Sequence, residues 1–170
     1  PWLVLDHHLG PVSFTQYAYV DPTSPATADI VYHLLEKLRC PIDKTMATCL
    51  YSALIFDTRN LTSTNTSAET IIQAAKLVEA GADPEYVNRM LNQQKPLGLI
   101  KLIGEVFSDL SYTLDDSLVW AVISQEQLER FNIDETECDY IITDLLTIAT
   151  AEVIIFFKEC KNGEVKVSWR

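Results

Sequence analysis

The chain has 170 residues, of which 48% are hydrophobic and 22% are charged, with only five glycines and seven prolines. This composition excludes a disordered, collagen-like or low-complexity chain, and the length suffices for one domain or parts of two. A formal net charge of −11 opposes the binding of long nucleic acid, although a small anionic substrate can still bind at one local cationic site.

The sequence favours a cytoplasmic protein without a membrane span. Apolar runs such as Val153–Phe157 are far shorter than the roughly 20 residues that cross a bilayer. The N-terminal segment Pro1–Asp6 lacks the basic start and apolar stretch of a secretory signal. Four cysteines show no C-x-x-C spacing and are predicted to be small buried side chains rather than zinc ligands or disulfides: Cys40, Cys49, Cys138 and Cys160.

The first half of the chain predicts one strand followed by helices. Trp2–Leu5 is a short apolar run that ends at Asp6, which is typical of an interior parallel strand. Apolar spacing and capping residues predict helices over about 25–39, 43–57, 67–80 and 84–92, with Ser24 as the cap of the first and Asp43 as the cap of the second. The polar stretch 58–67 is predicted to be a loop.

The segment Lys95–Gly98 interrupts the pattern and predicts two domains, 1–95 and 96–170. After it, the sequence predicts helices over 99–110, 125–131 and 139–148, and strands over 111–114, 118–123, 153–157 and 165–170, the last after an Asn162–Gly163 turn. The fold class is therefore α/β. The first strand lacks parallel partners upstream and the last strand ends at Arg170, so we expect a chain truncated at both ends.

Asp6, His7 and His8 are the densest cluster of metal-binding side chain types, and they follow the first strand. Ligands of open α/β sheets bind beyond the carboxyl ends of strands, so one histidine could bind a metal ion and the other the substrate. Asp57 ends an apolar helix, where the helix carbonyls repel a carboxylate unless a cation is near. The alternatives are a solvated turn for the histidines and a polar turn for Asp57.

The segment Leu3–His8 resembles the signature of the DHH phosphoesterases, which include RecJ-type exonucleases, nanoRNase/pAp phosphatases and cyclic-dinucleotide phosphodiesterases. Tyr19–Pro22, Ile55–Thr58 and Ser63–Thr66 resemble the next motifs of that superfamily in order and spacing. Residues 120–170 are similar to the start of the associated substrate-binding domain, whose Ser-x-Arg strand the segment ending at Arg170 matches, and this argues against family II pyrophosphatases. The resemblance implies the C-terminal part of a parallel-sheet DHH domain followed by the first part of a smaller α/β substrate-binding domain.

The resemblance also implies a site and a cofactor. The implied roles are metal ligands for His7 and Asp57, catalytic residues for His8 and Asp6, and substrate binding for Arg170, Ser168 and Asn65. The family uses two Mn²⁺ ions, with Mg²⁺ as the alternative, and such paired cations activate a water and neutralise phosphoryl charge. The implied substrate is a small nucleotide or short oligonucleotide. A homodimer is kept as a candidate assembly.

Several family features have no counterpart in this sequence. A His-x-x-x-Asp-x-Asp loop and a further Asp precede the family's DHH segment, and a glycine-rich motif containing histidine follows its Ser-x-Arg strand. Arg59 stands where many members have glycine, and Leu61-Thr62 replaces a common Phe-Arg pair. We therefore expect a metal-dependent phosphoesterase of which these 170 residues alone are inactive; the alternative is a non-catalytic nucleotide-binding or scaffold module that keeps the DHH fold.

Overall fold

A computed structural model describes residues 2–10 and 14–170 of the chain. The chain divides into two compact units, Pro1–Gln94 and Lys95–Arg170. Both combine helices with a sheet that contains a parallel strand pair, so the predicted α/β fold class is confirmed. Within the described residues, no helix is both long and apolar enough to cross a membrane.

The first unit places a short parallel sheet beside four helices. Its elements are β1 (Leu3–Asp6), β2 (Tyr17–Val20), α1 (Thr27–Lys37), α2 (Lys44–Asp57), α3 (Ala68–Glu79) and α4 (Pro84–Asn92). Asp6 lies opposite Val20 in the sheet, and the backbone N–H of Asp21 donates to the Asp6 carbonyl at 3.0 Å. The carboxyl ends of both strands therefore meet at one edge, as expected for parallel neighbours.

Capping residues explain where three of these helices begin. The Asp43 carboxylate accepts from the Met46 N–H at 2.8 Å, Ser67 caps α3 through Thr70, and Pro84 occupies the first turn of α4. The predicted cap of α1 is wrong, because Ala26 holds that position without a side-chain bond. The Ser24 hydroxyl instead donates to the Asp29 carboxylate, so α1 begins two residues later than its proline suggested.

The core of the first unit forms where α1, α2 and α3 pack together. Small residues such as Ala26 and Ala47 are completely buried there and allow the helices to approach closely, while Leu54 and Leu77 fill the space between them. The predicted burial of the cysteines is confirmed for Cys138, while Cys160 is half-buried. It is wrong for Cys40 and Cys49, which are exposed. Both lie outside the apolar stripes of their segments, so the residue type alone was misleading.

The second unit is a four-stranded mixed sheet with helices. Its elements are α5 (Leu97–Ser108), β3 (Ser111–Tyr112), β4 (Leu118–Ile123), α6 (Gln125–Phe131), a 3₁₀ helix (Glu137–Tyr140), α7 (Ile141–Leu145), β5 (Val153–Glu159) and β6 (Val165–Trp169). The strand order is β3-β4-β5-β6, with β4 and β5 parallel and the outer pairs antiparallel. The helix predicted over 139–148 is thus a 3₁₀ turn followed by a short α-helix that ends at Leu145.

The two faces of this sheet differ. Alternate residues of β4 and β5, including Ile123 and Phe156, are buried against the helices and form the core of the unit. The opposite face leaves Val122, Val167 and Trp169 exposed, and Trp169 has 71% of its surface in contact with solvent. We refer to the surface formed by Val122, Val167 and Trp169 as the outer apolar face.

Candidate metal and phosphate site

The predicted metal-binding cluster of Asp6, His7 and His8 lies at the carboxyl end of β1. Asp6 is the last residue of the strand, and His7 and His8 follow it directly. Their rings lie 4.3 Å apart in an edge-to-face arrangement, but their environments differ strongly. The His7 side chain is 15% exposed, whereas that of His8 is 76% exposed. This difference gives each ring a separate set of partners.

His7 is held between two groups of the first unit. Its Nδ1 lies 3.3 Å from the Ser24 carbonyl oxygen, and its Nε2 lies 3.6 Å from Oδ2 of Asp57. A carbonyl oxygen only accepts hydrogen bonds, so Nδ1 must carry the proton and donate. In the neutral ring, Nε2 then presents its lone pair towards Asp57.

The pair formed by His7 Nε2 and Asp57 Oδ2 is suited to a cation. Two acceptors facing each other repel unless a proton or a metal ion lies between them, and 3.6 Å is too long for a hydrogen bond. Two atoms that ligate the same metal ion at about 2.1 Å, with a ligand–metal–ligand angle of about 90–110°, would lie roughly 3.0–3.4 Å from each other. Imidazole and carboxylate are donors that suit Mn²⁺, so the residue types fit the implied metal.

Asp57 is the last residue of α2, where the helix carbonyls create negative potential. The buried Thr58 follows it, and its hydroxyl donates to the Leu54 carbonyl at 2.6 Å and accepts from the Leu61 N–H at 3.1 Å. Three consecutive residues after Thr58, Arg59–Leu61, adopt left-handed backbone angles with φ values of 48°, 59° and 61°. This tight turn fixes the end of α2 and with it the position of the Asp57 carboxylate.

Asp6 orients His8 rather than pointing at His7. Oδ1 of Asp6 lies 2.8 Å from Nδ1 of His8 and also accepts from the backbone N–H groups of His7 and His8. The hydrogen bond from the His8 ring lowers the pKa of Asp6, so the carboxylate is ionised at neutral pH. Because Nδ1 of His8 donates to this carboxylate, its Nε2 is the atom that can meet a ligand from solvent.

The predicted substrate residue Asn65 lies in the loop after α2. Its amide N–H donates to the Pro25 carbonyl at 3.0 Å, and its amide oxygen accepts from Ser63. These bonds connect this loop to the segment that leads into α1, which also carries Ser24. Substrate binding by Asn65 stays a prediction.

The other two predicted substrate residues belong to the second unit. Ser168 lies on β6 opposite Phe156, and Arg170 follows the strand. The backbone of Arg170 exchanges two hydrogen bonds of 3.0 Å with Ile154, and its exposed guanidinium donates to the Trp169 carbonyl. Their roles in substrate binding also stay predictions.

Sequence reasoning missed the groups that support His7. The Ser24 carbonyl fixes the His7 ring, and the Ser24 hydroxyl is in turn held by Asp29 at the start of α1. Such outer partners fix the tautomer of a ligating histidine. A backbone carbonyl has no sequence signal, but the Ser24–Asp29 spacing next to a predicted helix start could have been noticed. Among residues 2–10 and 14–170, no group of three His, Cys, Asp or Glu side chains forms a complete metal site.

Comparison with known proteins gives relatives for nearly the whole chain. It is 28% identical over 167 residues to the bifunctional oligoribonuclease and PAP phosphatase NrnA of Thermus thermophilus, covering 98% of this chain and 49% of that protein. The probable bifunctional oligoribonuclease and PAP phosphatase NrnA of Streptococcus mutans is 24% identical over 166 residues, which cover 98% of this chain and 53% of that protein. No protein-family model matches the chain.

The fold also has a close counterpart among solved structures. The crystal structure of an exopolyphosphatase-related protein from Bacteroides fragilis superposes with a TM-score of 0.91 at 22% identity, over 99% of this chain and 50% of that one. At this identity the match concerns the fold alone. The chain spans about half the length of the curated NrnA relatives it matches.

Proposed function

Because the chain resembles the DHH phosphoesterases of the NrnA type over 98% of its length, we propose that the protein hydrolyses phosphate ester bonds in small nucleotides. The proposed substrates are short oligoribonucleotides and PAP, which the names of those relatives state for them. A net charge of −11 supports a small substrate over long nucleic acid. We place the activity in the cytoplasm, with a homodimer as the candidate assembly.

The observation that carries this proposal is the orientation of His7 towards Asp57. The Ser24 carbonyl turns the ring so that Nε2 faces the carboxylate at 3.6 Å, and a divalent cation bound by both would remove the repulsion between them. We propose His7 and Asp57 as ligands in a site for two Mn²⁺ ions, with Mg²⁺ as the alternative. When bound, such ions supply an activated water and neutralise charge on the phosphoryl oxygens.

The remaining residues would handle the substrate. The exposed Nε2 of His8 would contact the scissile phosphate, and Asp6 would hold the His8 ring through its 2.8 Å contact with Nδ1. Asn65, Ser168 and Arg170 would bind the rest of the nucleotide, and a guanidinium is well suited to a phosphate. Two protein ligands cannot hold two ions, so we propose that the 170 residues alone are inactive.

The test measures hydrolysis of PAP and of a short oligoribonucleotide by the full-length protein with and without Mn²⁺. His7→Ala and Asp57→Asn should lose metal, as elemental analysis would reveal. His8→Ala should retain the metal and lose about 10²-fold or more in kcat. Glu85→Gln, which neutralises an exposed carboxylate on α4, serves as the matched control.

Thermal melting separates metal binding from catalysis. A bound ion stabilises the folded state, by about 2.7 kcal/mol when its concentration is 100 times the Kd. Mn²⁺ should therefore raise the Tm of the wild-type protein and of His8→Ala, but not of His7→Ala. Metal loss in His8→Ala would mean that the two histidines have exchanged roles. A wild-type protein that binds PAP without hydrolysing it would favour the scaffold alternative.

A further inference from the structure

Two lysines face each other directly across the last strand pair. Lys158 of β5 and Lys166 of β6 are register partners, so their side chains leave the sheet on the same face. Like charges placed directly opposite destabilise an antiparallel pair. Water does little to weaken the repulsion here because Lys158 is only 3% exposed. A buried ammonium group needs hydrogen-bond acceptors close to it.

Asp139 supplies the compensating charge from the 3₁₀ helix. Its Oδ1 lies 2.6 Å from Nζ of Lys158 and its Oδ2 lies 2.9 Å from Nζ of Lys166, so each carboxylate oxygen serves one strand. The Glu135 carbonyl accepts a further bond from Lys158. Burial by itself would raise the pKa of Asp139, but the bonds from Lys158 and then Lys166 lower it, so the carboxylate is charged at neutral pH.

From this arrangement we infer that Asp139 is a positioning residue for substrate binding. Its carboxylate neutralises Lys166 on β6, the last strand in the sheet order, where that lysine faces Lys158, and the same strand leads to Ser168 and Arg170. The inference rests on the proposed function, because it takes those two side chains as substrate contacts. Asp139 itself would touch no substrate and would act only by cancelling the repulsion between Lys158 and Lys166, so that β6 keeps its register against β5.

Removing the charge of Asp139 would leave two opposed cations at the pairing of β5 with β6. The buried Lys158 cannot turn into solvent, so the strain would fall on Lys166 and on the strand that carries it. Lys166→Gln removes the second cation and should relieve this strain without restoring Asp139. Rescue by a neutral substitution at Lys166, on the other side of the lost ion pair, is what distinguishes charge compensation from a simple loss of packing.

The test compares Asp139→Asn with the double variant Asp139→Asn/Lys166→Gln in the full-length protein. For PAP hydrolysis, the single variant should raise KM on the order of tenfold with kcat nearly unchanged, since a displaced contact weakens binding. The double variant should recover most of that loss. Asp144→Asn, which removes the partner of Lys95 in a pair at the surface, is the matched control and should leave KM unchanged.

Amide hydrogen exchange provides a readout that needs no activity. The Arg170 N–H donates to the Ile154 carbonyl at 3.0 Å, and its exchange should accelerate about tenfold in Asp139→Asn and return in the double variant. Unchanged exchange, or no rescue by Lys166→Gln, would overturn the inference. A wild-type protein without phosphoesterase activity would refute the proposed function and leave this exchange test standing. Should Asp139→Asn fail to fold, Asp139→Asn/Lys158→Met removes the buried cation and should fold, and a failure there would also overturn the inference.

Discussion

Replacing Arg59 with glycine is expected to stabilise the protein, because Arg59 begins the left-handed turn that follows Asp57. Its φ of 48° lies in a region that costs a residue with a β-carbon about 1–2 kcal/mol. Glycine avoids this cost but loses about 0.5–1 kcal/mol through the greater freedom of its unfolded chain. The arginine side chain is exposed, so little contact is lost. The net gain should be about 0.5–1 kcal/mol in the free energy of unfolding.

The neighbouring residues of the same turn provide the internal comparison. Asn60→Gly should gain less, because asparagine adopts left-handed angles more easily than most residues. Leu61→Gly should instead destabilise by about 1 kcal/mol or more, because the Leu61 side chain packs against the core of the first unit. The three substitutions share one backbone conformation and differ in what the side chain contributes.

Urea unfolding of the full-length protein, followed at the transition of the first unit, measures these differences. Arg59→Ala is the decisive control, since it removes the side chain and keeps the backbone cost. If Arg59→Ala stabilises as much as Arg59→Gly, the gain comes from the loss of the arginine and the backbone reasoning fails. Equal gains for all three glycine variants would refute it as well.

Three further outcomes test other parts of the fold. Thr58→Val should destabilise by about 1–2 kcal/mol in urea unfolding, because the half-buried Leu61 N–H loses its acceptor, the buried Thr58 hydroxyl. Hydrogen bonds from Thr136 lower the pKa of Asp134 to about 2. The ionised Asp134 carboxylate therefore stabilises the fold fully above about pH 4, and this stabilisation is lost as the pH falls towards 2. Asp134→Asn should flatten the dependence of Tm on pH between these values. Gly98→Ala should lower the Tm by several degrees, because its Cβ would collide with a backbone carbonyl oxygen, whereas Gly104→Ala, with open space around it, should not.

The elements that were predicted correctly carry their own start signals. Asp43 and Pro84 mark the beginnings of α2 and α4, and the Asn162–Gly163 turn precedes β6. Elements that lack such local signals, and that form through contacts with residues distant in sequence, were not predicted. The strand Tyr17–Val20 was missed because it is short and mostly exposed, so no alternation of polar and apolar residues identifies it.

The candidate site likewise has parts with a local sequence signal and parts that depend on tertiary contacts. The cluster of Asp6 and His7 could be predicted because it follows an apolar run that does form a strand, although β1 is half-buried and not the interior strand expected. The structure brings His7 to Asp57 across 50 residues of sequence. The sequence could not indicate which ring nitrogen faces the carboxylate. That depends on the Ser24 carbonyl, a backbone group whose position is decided by the course of the chain between β2 and α1.

The outer apolar face affects how the protein behaves in solution. Valine and tryptophan side chains exposed together on a sheet favour self-association, while a net charge of −11 keeps molecules apart. Dissolved salt weakens the repulsion without weakening the apolar attraction, and sulfate strengthens the latter. We therefore expect the self-association of the 170-residue chain to increase with ionic strength. The exposed Trp169 belongs to the outer apolar face, so its fluorescence should change when that face becomes covered.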